Sequence, residues 1–214
     1  MYVLPTIVSF IVQAIDPNII KLDEFTLGLQ LSIYLAAFIV FILLLWNYKS
    51  YIFKDFKNWK NIVLGIGIGL ALIGVSQLIS YLIFDLGQVQ VNSNQDEVVS
   101  IVKNSPILSF FVVVICGPIF EEVIYRVGLM GFGIKLNEKY GKIIAYAVSI
   151  IIFTLVHINF FGENINIISE IAAIPGYLVG AIALCVAFDK GGISSSIIAH
   201  ILNNLFSYIL VMVM

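Results

Sequence analysis

Charge is what this sequence has least of. Only 11% of its 214 residues are Asp, Glu, Lys or Arg, against about 25% in soluble globular domains. A soluble fold of this length needs far more polar side chains to cover its surface, so the lipid bilayer rather than water is its expected solvent. The formal net charge is -2, and neither sign forms a block of the kind that holds nucleic acid, which excludes nucleic acid as an expected partner. Cysteine is scarce as well. Cys116 and Cys185 lie in apolar stretches without CxxC spacing, so they are read as small packing residues rather than as a disulfide or metal site. The start of the chain lacks a Lys/Arg-rich stretch and a small-residue cleavage site. A removable signal peptide is therefore not expected, and residues 1–15 are read as a short first membrane segment.

What is abundant is hydrophobicity, at 61% of residues. The apolar runs are long enough to cross a hydrocarbon layer of about 30 Å as helices of about 20 residues. Seven segments are expected, at about 1–15, 26–46, 61–85, 107–134, 142–160, 167–188 and 193–214. Their length and uniform apolarity do not suit the alternating strands of a barrel, and hydrocarbon requires every backbone N–H and C=O to pair internally, so the expected fold is all-α. With no repeat and no soluble appendage, residues 1–214 read as one polytopic membrane domain. Lys49, Lys54, Lys57 and Lys60 crowd one loop, and Lys135, Lys139, Lys142 and Lys190 fall in alternate later loops. The positive-inside tendency makes those loops and the N-terminus cytoplasmic in a cell membrane, and puts Asp85–Asn104 and the stretch around Glu163 on the other side.

Against this background a few polar residues stand out. Residues 116–126, Cys-Gly-Pro-Ile-Phe-Glu-Glu-Val-Ile-Tyr-Arg, hold two acids and the chain's single arginine, and both histidines, His157 and His200, fall in predicted membrane segments. An ionisable side chain at the bilayer centre costs about 2.5–3.5 kcal/mol on insertion scales, so such residues need partners or a function. Glu122 and Arg126, four apart, share a helix face and can form an ion pair. Glu121 points about 100° away and is left for another helix to partner. His157 is one candidate, and His200 with Asn204, also four apart, can present two donors to one oxygen. A carboxylate to take a proton from water, an imidazole to orient that water and donors for an oxyanion are what peptide hydrolysis requires. Gly117-Pro118 can kink the helix and open room for water or a peptide strand. Gly131 and Gly133 permit a close approach or a turn.

Three motifs, in order, resemble the CPBP family, also called Abi or CAAX-protease-and-bacteriocin-processing proteins, which includes the eukaryotic Ras-converting prenyl-protein endopeptidases. They are Glu121-Glu122-Val123-Ile124-Tyr125-Arg126, Phe153 to His157, and His200 to Asn204. The resemblance covers about 107–210, the motif-bearing core, and no motif is recognised in the first three segments. It implies an intramembrane endopeptidase in which Glu121 activates water with help from His157, while His200 and Asn204 form the oxyanion hole. Glu122 and Arg126 would hold the first motif in place. Both a metalloprotease and a glutamate-protease description have been applied to the family. A metal-free mechanism is the expectation here, in the absence of HExxH or a third clear ligand; zinc held by Glu121, His157 and His200 is the alternative.

Each residue also has a plainer reading. Glu122 with Arg126 can be only a buried ion pair, either histidine can be an interhelical hydrogen-bonding residue, and Phe153 can be packing. Asn203 stands in reserve for Asn204, and Glu170 reads as interfacial. At the level of the whole protein, two alternatives stand beside the peptidase that cuts a membrane-associated peptide or protein, such as a pheromone precursor or bacteriocin leader. One is a non-proteolytic immunity or accessory protein with a membrane partner. The other is a proton or cation transporter, against which stand the missing repeat and the lack of a second set of acids. The short Ile/Lys/Asn-rich chain looks bacterial, which speaks for the plasma membrane and against prenylated CAAX substrates.

Overall fold

The computed structural model describes residues 54–131, 133, 140–160 and 165–214, with isolated positions 32, 36 and 39. Apart from those three positions, the expected segments at 1–15 and 26–46 lie outside the described residues, as do Lys49, Lys135, Lys139 and Glu163. All regular structure among the described residues is helical. We number five helices over this part: α1, Trp59–Asp85; α2, Ser93–Asn104; α3, Pro106–Met130; α4, Gly141–Leu155; and α5, Ile167–Val213. By length and composition α1, α3 and α5 can each cross a membrane, and α4 is a shorter apolar helix.

The 47 residues of α5 would run about 70 Å if straight, more than twice the hydrocarbon thickness. They do not run straight. Gly192 has φ +71° and ψ -169°, and the chain folds back there into an outgoing half, 167–191, and a returning half, 193–213. Ser196 Oγ lies 3.1 Å from the carbonyl of Leu184 across the two halves. This matches the sequence division between 167–188 and 193–214, except that the turn is a single residue. Asp55 caps the returning half from outside it, its Oδ2 accepting the Ser194 N–H at 2.8 Å. A Cβ on Gly192 would stand 2.5 Å from that carboxylate, so both the positive φ and the close carboxylate require glycine.

The returning half packs closely on α1. Gly65 and Gly69 are four apart, and a Cβ on them would come within 2.7 Å of the Ser195 carbonyl oxygen and 3.1 Å of Ala199 Cα. Small residues at this spacing let two membrane helices approach backbone to backbone. The neighbouring Ser195 hydroxyl donates to the Asn61 carbonyl at 2.6 Å.

Helix α3 is wound loosely over Phe110–Cys116 and Val123–Met130, with one α-helical stretch, Gly117–Glu122, between. In the first loose stretch hydrogen bonds run from residue i to i−5, as from the Gly117 N–H to the Val112 carbonyl. The next in the series would join residue 118 to Val113, but Pro118 has no N–H to give. At Gly117-Pro118, where a kink with room for water or a peptide strand is expected, the structure has a change of winding and a freed carbonyl. Helix α4 ends at Leu155, short of the expected 142–160, because the Val156, His157 and Ile158 N–H groups close turns onto Ile152, Thr154 and Leu155. A side chain added to Gly133 would meet Ala145 of α4 at 2.9 Å, so that glycine serves close approach. Tyr125, Phe153, Leu184, Ala187 and Ala199 form a buried core that joins α3, α4 and both halves of α5.

Candidate active site

The three motif-bearing stretches meet above this core. Glu122 and Arg126 are fully buried and joined, Arg126 Nε standing 3.2 Å from Glu122 Oε2. The pair would be costly in hydrocarbon if it were left alone, since two buried charges need further hydrogen bonds to offset their desolvation. Those bonds are supplied by other helices. Arg126 donates from a terminal nitrogen to Ser149 Oγ at 2.8 Å, and Ser149 donates its own hydrogen to the Tyr125 carbonyl at 3.1 Å. The guanidinium also sits 5.2 Å from the Phe153 ring centroid, within cation–π range. On the other side Ser196 donates to Glu122 Oε2, and His200 Nδ1 meets Glu122 Oε1 at 2.9 Å.

Glu121 has a different environment. Its Oε2 is buried and has no hydrogen-bond partner. Two imidazole nitrogens face it, His157 Nε2 at 3.8 Å and His200 Nε2 at 3.7 Å. The protons on these rings can be placed from their other nitrogens. His157 Nδ1 lies 2.7 Å from the Phe153 carbonyl, which can only accept, so Nδ1 carries the hydrogen. His200 Nδ1 faces the Arg126-paired carboxylate and carries one for the same reason. With a ring in its neutral form, the lone pair is then on Nε2, turned toward a carboxylate oxygen. Three acceptors converge on one spot, and what suits the gap between them is a group with protons to donate, such as water.

Phe153 backs both rings, with centroids 4.6 Å from His157 and 5.9 Å from His200. His157 itself lies not within a helix but in the turn after α4, with Tyr177 stacked on it at 4.8 Å. Asn204 gives one amide hydrogen to the Val113 carbonyl at 3.0 Å, the oxygen that Pro118 leaves without a partner. His200 and Asn204 thus bind different oxygens in this structure, not a shared one as their spacing suggests; each keeps one ring or amide position for a further contact. Asn203 only leans on Asn204, at 3.5 Å. Glu170, in the first turn of α5, is 1% exposed and accepts from the Ser93 and Asn159 N–H groups at 2.8 and 3.0 Å.

Zinc suits a Glu-His-His set by donor chemistry, and two ligands of a tetrahedral zinc stand about 3.4 Å apart. The two imidazole nitrogens stand 3.8 and 3.7 Å from the Glu121 oxygen, within a few tenths of an ångström of that spacing. Among the described residues no group of three or more His, Cys, Asp or Glu has the geometry to hold a metal ion.

Sequence reasoning does not mark Ser149, Ser196 or Asn92, and it gives Glu170 no part in the site. The two serines do carry a signal. Ser149 precedes Phe153 by four residues as Phe153 precedes His157, and Ser196 stands in the same relation to His200 and Asn204, so each extends a motif along its helix face. Cys185 is buried and unpaired, its sulfur 3.8 Å from Ser149 Oγ, in keeping with a packing role.

A membrane-embedded CAAX protease, MroQ, of Staphylococcus aureus (strain USA300) is 30% identical over 149 residues, covering 66% of this chain and 60% of that protein. An uncharacterized protein of Mycoplasma capricolum subsp. capricolum is 27% identical over 181 residues, covering 77% of this chain and 49% of the other. The chain thus spans about half to three fifths of the length of these relatives. No solved structure matches it significantly. Residues 103–206, which hold all three motifs, match the model of the Rce1-like family, type II CAAX prenyl endopeptidases.

Proposed function

We propose that this chain is an intramembrane endopeptidase that hydrolyses a peptide bond of a membrane-associated peptide or protein, with water activated by Glu121. The observation that carries the reading is the buried, unpartnered Oε2 of Glu121 facing two imidazole nitrogens whose protons are fixed on the far side of each ring. A water held there gives one hydrogen to Glu121 and the other to His157 Nε2, which leaves its lone pair free to attack the scissile carbonyl. Glu121 takes the proton as the bond forms and returns it to the leaving amine. The oxyanion is met by the second amide hydrogen of Asn204, while His200, bonded through Nδ1 to Glu122, turns Nε2 to the same water. Glu122 and Arg126 hold the acid-bearing helix in register.

The setting follows the same reading. Lys54, Lys57 and Lys60 precede α1 or begin it, and Asp55 among them reaches Ser194. Lys142 pairs with Asp189 at 2.7 Å, next to Lys190 and the Gly192 turn. These lysines share one end of the bundle, which together with the N-terminus is assigned to the cytoplasm of a bacterium, making the protein multi-pass. His200 lies eight residues beyond Gly192, about 12 Å into the bundle. Substrates are accordingly membrane-associated peptides of the bacterial cell.

Glu121→Gln is the test. Cleavage of a membrane-inserted peptide should be lost while insertion and thermal unfolding in detergent stay as in the unaltered protein, and unchanged cleavage would discard the role of Glu121. Activity of the unaltered protein should survive exhaustive chelation; activity that is lost and returns with zinc would replace the metal-free mechanism.

A further inference from the structure

His157 has a structural difficulty that His200 does not. It lies past the end of α4, so no helical ladder fixes its backbone, yet its Nε2 has to face Glu121 to within the reach of one water. Its own bonds, from its N–H to the Thr154 carbonyl and from Nδ1 to the Phe153 carbonyl, tie it only to its own turn. The remaining anchors come from elsewhere in the chain. Asn92, 2% exposed, donates one amide hydrogen to the His157 carbonyl at 3.0 Å and the other to Glu170 Oε2 at 3.2 Å. The same Glu170 oxygen accepts the Asn159 N–H at 3.0 Å, two residues beyond His157. Glu170 Oε1 accepts the Ser93 N–H at 2.8 Å.

A carboxylate buried without a counter-cation is expensive, and here three N–H donors from two distant stretches offset the cost. Tyr177 completes the hold. Two turns along the same helix face from Glu170, it donates to Asn92 Oδ1 at 3.3 Å and stacks on the His157 ring, which is thereby held between Tyr177 and Phe153. Asn92 is also the N-cap of α2, its Oδ1 accepting the Gln95 N–H.

We propose that Glu170 and Asn92 are positioning residues for His157, clamping the turn after α4 to the start of α2 so that Nε2 of His157 faces Glu121. Docking of α2 and alignment of His157 are then a single event, although the residues that join them stand 65 apart in sequence. The functional part of this inference rests on the endopeptidase reading; the geometric part does not, and the experiment separates them.

The chain has two histidines, so 15N labelling of histidine alone gives two resolvable rings, assigned with His200→Ala. In the purified unaltered protein His157 should show one tautomer, protonated at Nδ1. In Glu170→Gln one of the two accepting oxygens becomes an amide that only donates, so whichever way it turns the Ser93 bond or the Asn92 and Asn159 bonds are lost, and the His157 ring should move to the mixed tautomers of a free imidazole while His200 stays unchanged. For the cleavage reaction kcat should fall about 100-fold with KM within about twofold, as small misplacements of a catalytic group do. Unchanged His157 signals would overturn the proposal, and displaced signals with unchanged kcat would overturn its functional part. Displaced signals in a protein that cleaves nothing even when unaltered would uphold the positioning and discard the peptidase. Should Glu170→Gln not accumulate, Asn92→Asp, which removes the donor to the His157 carbonyl, carries the same expectation and the same refutation.

Discussion

Glu121 and Glu122 are neighbours in sequence and opposites in structure. Behind α3, Glu122 is enclosed by Arg126, Ser196 and His200, and Arg126 is tied in turn to Ser149, although its Nε and second terminal nitrogen have no hydrogen-bond acceptor among the described residues. In front, Glu121 Oε2 has none and faces two imidazoles across a gap. One side is built as a buried polar network builds stability, the other leaves an acid open to chemistry. A turn of about 100° between adjacent residues is all that separates them. Motif membership therefore does not define an environment: the same two-acid motif supplies one acid bonded into a buried network and one that faces a gap, and the surrounding helices decide which is which.

The division between the two sides meets its severest test at Glu121. Glu121→Gln should reduce cleavage by about 100- to 10,000-fold, the range of a lost general base, with no loss of stability, because no bond is removed. Arg126→Met should do the reverse. Stranding the Glu122 carboxylate among apolar side chains should cost about 3–5 kcal/mol, seen as loss of folded protein in detergent before any effect on the reaction can be measured. If Arg126→Met folds normally and only cleavage suffers, the division is wrong.

Asn204→Ala probes the border between them. It leaves the Val113 carbonyl without a donor and removes the amide next to the reacting carbonyl. Stability should drop by about 1–3 kcal/mol and cleavage by about 100-fold; a drop in stability alone would make Asn204 purely a partner for the backbone that Pro118 leaves open. Ser149→Ala should have the smallest effect, about 1–3 kcal/mol for an Arg126 hydrogen bond, with cleavage per folded molecule unchanged. A change in kcat there would show that the rear network also tunes the front.

Part of this organisation is legible in the residues themselves. Polar side chains in long apolar runs are costly, so those present have to be paired or functional, and the i to i+4 spacing puts Glu122 with Arg126 on one face and Glu121 on another. The all-helical fold of the described residues follows from the same physics, because hydrocarbon forbids unpaired backbone. Where sequence reasoning stops, the cause is range. Glu170 looks interfacial from its place near a helix start, and only the approach of Asn92 and Asn159, neither of which belongs to a motif, makes it a buried clamp. The extension of the Phe153 and His200 motifs to Ser149 and Ser196 is visible as helix periodicity, yet a serine carries no cost in an apolar run that would mark it.

Residue order and composition suffice to send the chain into a membrane as helices, to demand partners for Glu121, Glu122, Arg126, His157, His200 and Asn204, and to say which of them share a helix face. These follow from transfer cost and from the 3.6-residue period, both local properties. Packing alone settles that Gly192 folds α5 back on itself, that Gly65 and Gly69 fall where α1 lies closest to the returning half, and that both imidazoles turn Nε2 to Glu121. The reason is that hydrogen-bond direction and close backbone approach depend on atoms brought together from distant parts of the chain, and no local pattern encodes where those atoms will stand.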